Sequence, residues 1–139
     1  FDQKTAQKWA AGPGIIILCG RFEGIDERIL KRYDIEEISL GDFVMTGGEI
    51  AAQAMIDATV RLLPNVLGNP ESTIDESHSR GLLEYPQYTK PVEWKDQKIP
   101  DILLSGHHQN IAKWRMDQAK TKTQKHRPDL WKVWNKSKD

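Results

Sequence analysis

Two glycine-rich loops are the part of this sequence best suited to bind a small molecule. Their glycines are Gly20, Gly24, Gly41, Gly47 and Gly48. A backbone without side chains lets a ligand approach closely, so that N–H and C=O groups do the recognition. Phe22, Phe43 and Met45 lie in the same loops and are suited to hold a flat ring between them. The alternative is that the glycines only form turns and that these three large side chains belong to the core.

A carboxylate pair and an arginine form a second candidate for chemistry. Asp75 and Glu76 are adjacent in a segment rich in turn-forming residues, and Arg61 precedes that segment. A carboxylate within hydrogen-bonding reach of an N–H acts as a general base, and a nearby cation stabilises negative charge that develops on an oxygen. The alternatives are an acidic linker that only improves solubility and an Arg61 paired with Asp57 one helical turn away.

The basic residues concentrate at one end, although the net charge is zero. Residues 105–139 contain nine Lys/Arg and three Asp/Glu, a balance of +6, so residues 1–104 carry −6. This asymmetry is typical of a catalytic body joined to a tail that binds a polyanion. A solvated lysine-rich helix would give the same count.

The composition predicts a folded, cytoplasmic protein. Hydrophobic residues make up 38% and charged residues 29%, which excludes a disordered chain. The apolar run 15–19 is too short to span a bilayer. The lone Cys19 has no partner for an internal disulfide, which favours a reducing compartment. Since the sequence starts at Phe1 and not at Met, we also expect a chain cut from something longer.

Alternating helices and strands are predicted to position the glycine loops. Helices are predicted over residues 2–11 and 25–33, and strands over residues 15–19 and 35–40. With a further helix after the second loop, this order predicts an α/β domain with a parallel sheet.

The helix predicted over residues 50–63 is apolar around most of its circumference. Thr46 and Glu49 have the spacing of a capping box, which places the helix start near Gly47. Gln53, Asp57 and Arg61 recur every fourth residue and form one narrow polar stripe. We infer that this helix packs against a second copy of the protein.

The remainder is predicted to be a linker and a helical tail. Residues 64–80 have no periodicity and read as a flexible linker. Residues 81–139 form a basic tail domain, with helices predicted over 110–122 and 127–134.

Four motifs in order carry a resemblance to a known family. They are residues 18–28 (LCGRFEGIDER), 39–49 (SLGDFVMTGGE), 81–91 (GLLEYPQYTKP) and 103–108 (LLSGHH) followed by 111–115 (IAKWR). In order and spacing they resemble the bacterial tRNA (guanine-N1)-methyltransferase family (TrmD family, SPOUT superfamily). The resemblance extends from Phe1 to about Lys122. Because family members continue further at the amino end, it implies that the first strands of the fold are missing here.

The resemblance implies a SPOUT-type parallel sheet with a deep trefoil knot and a bent S-adenosyl-L-methionine bound in it. Residues 1–63 would be part of this cofactor-binding domain, and residues 81–139 the tRNA-binding domain. Glu23 would lie at the edge of the pocket, near the methionine portion of the cofactor. The residues implied to line the pocket are Gly20, Phe22, Ser39, Leu40, Met45, Gly47 and Gly48.

The implied reaction is methylation of N1 of guanosine 37 in tRNA, next to the anticodon. Neutral guanine holds a proton on N1, so a base must remove it. The family commonly has Asp before Ser-Phe where this chain has Glu76-Ser77-His78. The register therefore favours Glu76 as the base, with Asp75 as the alternative. Arg61 matches the family arginine that partners this carboxylate, across a homodimer interface with a shared active site.

The resemblance also assigns the basic tail to the tRNA anticodon stem-loop. Lys113, Arg115, Lys120 and Lys122 would contact RNA phosphates. His107 and His108 stand beside this helix and are better suited to loop capping or phosphate contact than to zinc. A role for Mg²⁺ in catalysis is implied, without a dedicated ligand cluster in the sequence. The alternative function is a non-catalytic fragment that only binds RNA or dimerises.

Overall fold

The computed structural model describes residues 1–68 and 76–137. The chain divides into two compact units, Phe1–Pro70 and Glu71–Asp139. Within the described ranges, no helix is long and apolar enough to cross a membrane.

The first unit contains three helices: α1 Gln3–Ala10, α2 Glu27–Arg32 and α3 Glu49–Val60. Asp2 starts α1 because its carboxylate accepts a hydrogen bond from the Thr5 N–H at 2.8 Å. Helices α1 and α3 pack against each other, and Ala6, Ala52 and Met55 are buried. This contact forms the core of the unit and supports α3 from one side.

The strands predicted over residues 15–19 and 35–40 are not strands in the described part of this unit. The described pairing here is a single antiparallel bridge between Arg21 and Gly47. The side chain of Ile16 is fully exposed instead of buried. An apolar run predicts what a segment would bury, but a strand also requires a neighbouring backbone to bond to. The predicted parallel sheet is therefore not formed by the described residues.

Helix α3 starts and ends differently from the prediction. Gly48 takes the N-cap position instead of Thr46, and Glu49 pairs with Arg21 instead of closing a capping box. The helix ends at Val60, and the N–H of Arg61 donates to the Asp57 carbonyl as its C-cap. The apolar side chains of Ile50, Ile56 and Val60 are exposed on this chain.

The described part of the second unit, residues 76–137, contains a short hairpin and three helices. Strands β1 Glu93–Trp94 and β2 Gln97–Lys98 pair antiparallel. Positive φ angles of 48° and 62° at Lys95 and Asp96 fit a two-residue hairpin turn. The helices are α4 Asp101–Leu104, α5 His108–His126 and α6 Pro128–Lys136.

Helix α5 is longer at both ends than the predicted 110–122. It stops at Arg127 because Pro128 lacks an N–H and instead occupies the first turn of α6. Leu82, Ala119 and Thr123 are the buried side chains of this unit. The segment before the hairpin thus packs on the carboxyl-terminal half of α5.

Candidate functional site

The two glycine loops enclose one pocket of about 320 Å³. Glu23 is not part of its lining. The predicted residues that the structure brings together there are Gly20, Phe22, Ser39, Leu40, Met45, Gly47 and Gly48. The volume lies at the lower end of the ~300–1,000 Å³ typical of small-molecule sites.

A direct backbone contact joins the two loops. The N–H of Gly48 donates to the carbonyl of Gly20 at 3.1 Å. A Cβ atom added at Gly48 would lie 3.2 Å from the Cα of Cys19. A side chain at this position would require the first loop to shift, so glycine allows the start of α3 to approach the first loop this closely.

An ion pair reinforces this junction. The Nε of Arg21 donates to the Oε1 of Glu49 at 2.6 Å. This hydrogen bond holds the pKa of Glu49 below its ordinary value. Both side chains are partly exposed, so the pair orients the loop more than it stabilises the fold.

The second loop is tightened by Ser39 and Gly41. The Ser39 hydroxyl accepts from the Gly41 N–H at 3.2 Å and lies 3.0 Å from the Gly41 carbonyl, to which it donates. A Cβ at Gly41 would come within 2.6 Å of the Phe43 ring, so glycine lets this ring fold over the loop. Phe43 and Phe22 both line the pocket and both are exposed, Phe22 almost completely. They are therefore not core residues, and their faces are available to a ligand.

This arrangement suits a ligand with a flat ring and several hydrogen-bonding groups. The loop backbone lies open to the pocket, and two exposed aromatic rings with the half-buried Met45 provide apolar surface. The residues present thus fit an adenine-containing cofactor such as S-adenosylmethionine.

The predicted catalytic residues lie in different parts of the chain. Arg61 caps α3 in the first unit. Glu76 is half-buried at the start of the described part of the second unit. Asp75 lies outside the described residues.

Glu76 borders a cavity of about 390 Å³ within the second unit. Tyr85, His108 and Arg115 contribute polar groups to its wall, and Leu82 contributes apolar surface. The guanidinium of Arg115 lies over the Tyr85 ring, 4.8 Å from its centroid. Sequence reasoning did not single out Tyr85, because nothing in its spacing indicates a contact with α5.

The predicted RNA-binding residues all lie on α5, but on different faces. Lys113 and Lys120 are two helical turns apart and share one face. Arg115 and Lys122 share another, roughly opposite face. Lys120 also contacts Asp117 at 3.4 Å and the Trp134 ring. The four residues therefore do not form one continuous basic surface.

Metal-ligating side chains do not cluster in the described ranges. No group of three or more His, Cys, Asp or Glu residues in residues 1–68 and 76–137 is placed to hold a metal ion. Cys19 is a free, half-buried thiol beside the first glycine loop.

A family model agrees with the motifs and the pocket. Residues 1–133 match the model described as tRNA (Guanine-1)-methyltransferase TrmD, and the chain belongs to this family. The resemblance indicated by the four motifs is confirmed.

Similar curated proteins carry the same description. Proteins named tRNA (guanine-N(1)-)-methyltransferase are 61% identical over 134 residues in Cereibacter sphaeroides and 54% identical over 134 residues in Gluconobacter oxydans. Another, from Ruegeria sp. (strain TM1040), is 61% identical over 138 residues. The alignments cover 96%, 96% and 99% of this chain but 54%, 57% and 57% of the relatives. The chain thus spans about half the length of the curated relatives it matches.

Proposed function

We propose that the protein containing this chain is a cytoplasmic, S-adenosylmethionine-dependent methyltransferase that modifies N1 of guanosine 37 in tRNA. The glycine-loop pocket is the observation that carries the proposal. It gathers seven of the eight residues predicted to hold the cofactor, in a chain that belongs to the methyltransferase family. The fold of the whole domain would be the SPOUT parallel sheet with its trefoil knot.

In the proposed site, the cofactor lies in the glycine pocket of the first unit. Phe22, Phe43 and Met45 contact its adenine ring, and backbone groups of the two glycine loops face its polar atoms. S-adenosylmethionine supplies the electrophilic methyl group. The chain's contribution is to orient the cofactor and to keep bulk water from it.

The proposed base is Glu76, with Asp75 as the alternative. Its carboxylate accepts the N1 proton of guanine, which leaves N1 able to take the methyl group that bound S-adenosylmethionine would supply as its sulfonium becomes a thioether. Arg61 stabilises the negative charge that develops on O6 of the base. Mg²⁺ would assist, as the family resemblance implies.

A homodimer with a shared site is also proposed. The exposed side chains of Ile50, Ile56 and Val60 give α3 an apolar face suited to a second copy. Arg61 follows at the end of the same helix, so a dimer through α3 would bring Arg61 close to the partner chain. In this arrangement residues 1–63 hold the cofactor and residues 81–139 contact the tRNA. Residues 64–80 form the linker between these two parts.

Methyl transfer to tRNA transcripts with guanosine at positions 36 and 37 tests the reaction. The enzyme for the assay is the complete natural polypeptide that carries this sequence. A Glu76→Gln, Asp75→Asn double variant is expected to lose about 10²–10⁴-fold in kcat, because the N1 proton has no acceptor. A Glu93→Gln variant in the β1–β2 hairpin controls for the loss of a carboxylate elsewhere.

Calorimetric titration with S-adenosylmethionine separates cofactor binding from base catalysis. Full methyl transfer by the double variant would refute the base assignment only. Failure of the wild type to bind the cofactor, with tRNA binding retained, would instead favour a non-catalytic RNA-binding protein.

A further inference from the structure

The segment that carries Glu76 is a compact hydrogen-bonded turn. The Glu76 carbonyl accepts from the Ser79 hydroxyl at 2.6 Å, and the His78 N–H donates to the Leu82 carbonyl at 2.8 Å. The Glu84 N–H donates to the Ser77 hydroxyl at 2.9 Å, which joins the two ends of the turn. Residues 76–84 therefore form one hydrogen-bonded unit.

One side chain of α5 anchors this turn. The Leu83 N–H donates to the Thr123 hydroxyl at 2.8 Å, across 40 residues of sequence. The same hydroxyl donates to the Ala119 carbonyl at 2.7 Å. Thr123 is fully buried, at 0% exposure. Its hydroxyl is thus a buried link between the turn and the carboxyl-terminal end of α5.

A hydroxyl is required here because the position needs a donor and an acceptor on one atom. Valine has nearly the same shape but provides neither, so it would leave the part-buried N–H of Leu83 without its partner. Serine keeps both functions and loses only a methyl group. The pair of substitutions separates hydrogen bonding from packing.

We propose that Thr123 is a positioning residue for the Glu76 carboxylate. Two hydrogen bonds connect Thr123 to Glu76. The Thr123 hydroxyl accepts from the Leu83 N–H, and the N–H of the next residue, Glu84, donates to the Ser77 hydroxyl. Ser77 directly follows Glu76 in the chain. Thr123 acts only through the turn and has no role in the chemistry itself. The inference rests on the proposed function of Glu76 as the base.

The test compares Thr123→Val with Thr123→Ser in the complete natural polypeptide. Thr123→Val is expected to lower kcat by about 10- to 100-fold, since displacements near 1 Å have effects of this size. The KM for S-adenosylmethionine should not change, because the cofactor pocket lies in the other unit. Thr123→Ser should restore most of kcat.

A second threonine on α5 gives a matched control. The Thr121 hydroxyl also donates to the carbonyl four residues earlier, that of Asp117 at 2.9 Å, but Thr121 is exposed. Thr121→Val removes the same type of helical hydrogen bond without releasing the turn. It should leave kcat within about twofold of the wild type, as expected of a surface substitution.

A double-mutant cycle distinguishes positioning from general damage. If Thr123 acts through Glu76, Thr123→Val should have little further effect in a Glu76→Gln background. An equal loss in both backgrounds would overturn the proposal. So would wild-type kcat in a folded Thr123→Val variant while Glu76→Gln is inactive.

If circular dichroism shows that Thr123→Val does not fold, Ser77→Ala takes its place in the cycle. Ser77→Ala removes the hydrogen bond from Glu84 without changing a core residue. An unchanged kcat in Ser77→Ala then counts against the proposal. If Glu76→Gln is fully active, the positioning role fails with the base assignment, whereas methyl transfer by the wild type still upholds the proposed reaction.

Discussion

Replacing Gly48 by alanine is expected to weaken cofactor binding by opening the glycine pocket. The added Cβ would lie 3.2 Å from the Cα and 3.4 Å from the Cβ of Cys19. Both neighbours are close to the backbone, so the clash cannot be relieved by rotating a flexible side chain. The φ of Gly48 is −80°, which alanine adopts without strain, so the effect isolates the close contact.

The magnitude follows from two opposing terms. An extra methyl group in a tight contact costs about 1–3 kcal/mol. Alanine also reduces the conformational freedom of the unfolded chain, which stabilises the folded protein by about 0.4–1 kcal/mol. A net loss of roughly 1–2 kcal/mol corresponds to a factor of about 5–30 in an equilibrium constant. Because a pocket that is closed less often binds more weakly, the Kd should rise by up to this factor.

Isothermal titration calorimetry with S-adenosylmethionine measures this change. Gly68→Ala is the control, since no described atom lies within 4 Å of a Cβ added there. A Gly48→Ala variant that binds as tightly as the Gly68→Ala control would refute the reasoning, because the close approach of the loops would then not determine the closed pocket.

Three further predictions concern the second unit and the reaction. A hydrogen bond from the arginine two residues earlier lowers the pKa of Asp129 from 3.8 to about 2. The ionised Asp129 therefore stabilises the fold fully above pH 3.8, and this stabilisation is lost as the pH falls through about 2. Asp129→Asn should remove this part of the acid-unfolding curve, which circular dichroism follows. Neutralising Arg115 and Lys122 together should reduce tRNA affinity and its salt dependence more than neutralising Lys113 and Lys120. The reason is that Arg115 borders the Glu76 cavity. Equal losses of affinity for the two double variants in filter binding would contradict this. Chelation by EDTA should lower methyl transfer without changing the melting temperature, and Mg²⁺ should restore it.

Local chemistry explains which features the sequence predicted well. Gly20, Gly47 and Gly48 mark loops that approach each other closely, and the structure places all three around one pocket. The start of α1 follows from capping by the Asp2 carboxylate. These signals depend on a few neighbouring residues, so a single sequence carries them.

Features that depend on distant partners were missed. The run 15–19 has strand-forming residues, but its composition does not reveal which backbone it would pair with. The salt bridge between Arg21 and Glu49 joins positions 28 residues apart. The anchor of Leu83 on Thr123 spans 40 residues. Neither contact leaves a periodic pattern, because each depends on how the elements pack.

The hydrogen bond from Gly48 to Gly20 also makes the pocket observable without a ligand. Amide groups in the first turn of a helix have no intrahelical acceptor and normally exchange their hydrogen rapidly with solvent. The Gly48 amide stands just before α3, yet its acceptor is on the opposite wall of the pocket. Its exchange rate therefore reports how often the two walls separate. A ligand that binds only the closed pocket should slow this exchange in proportion to its occupancy.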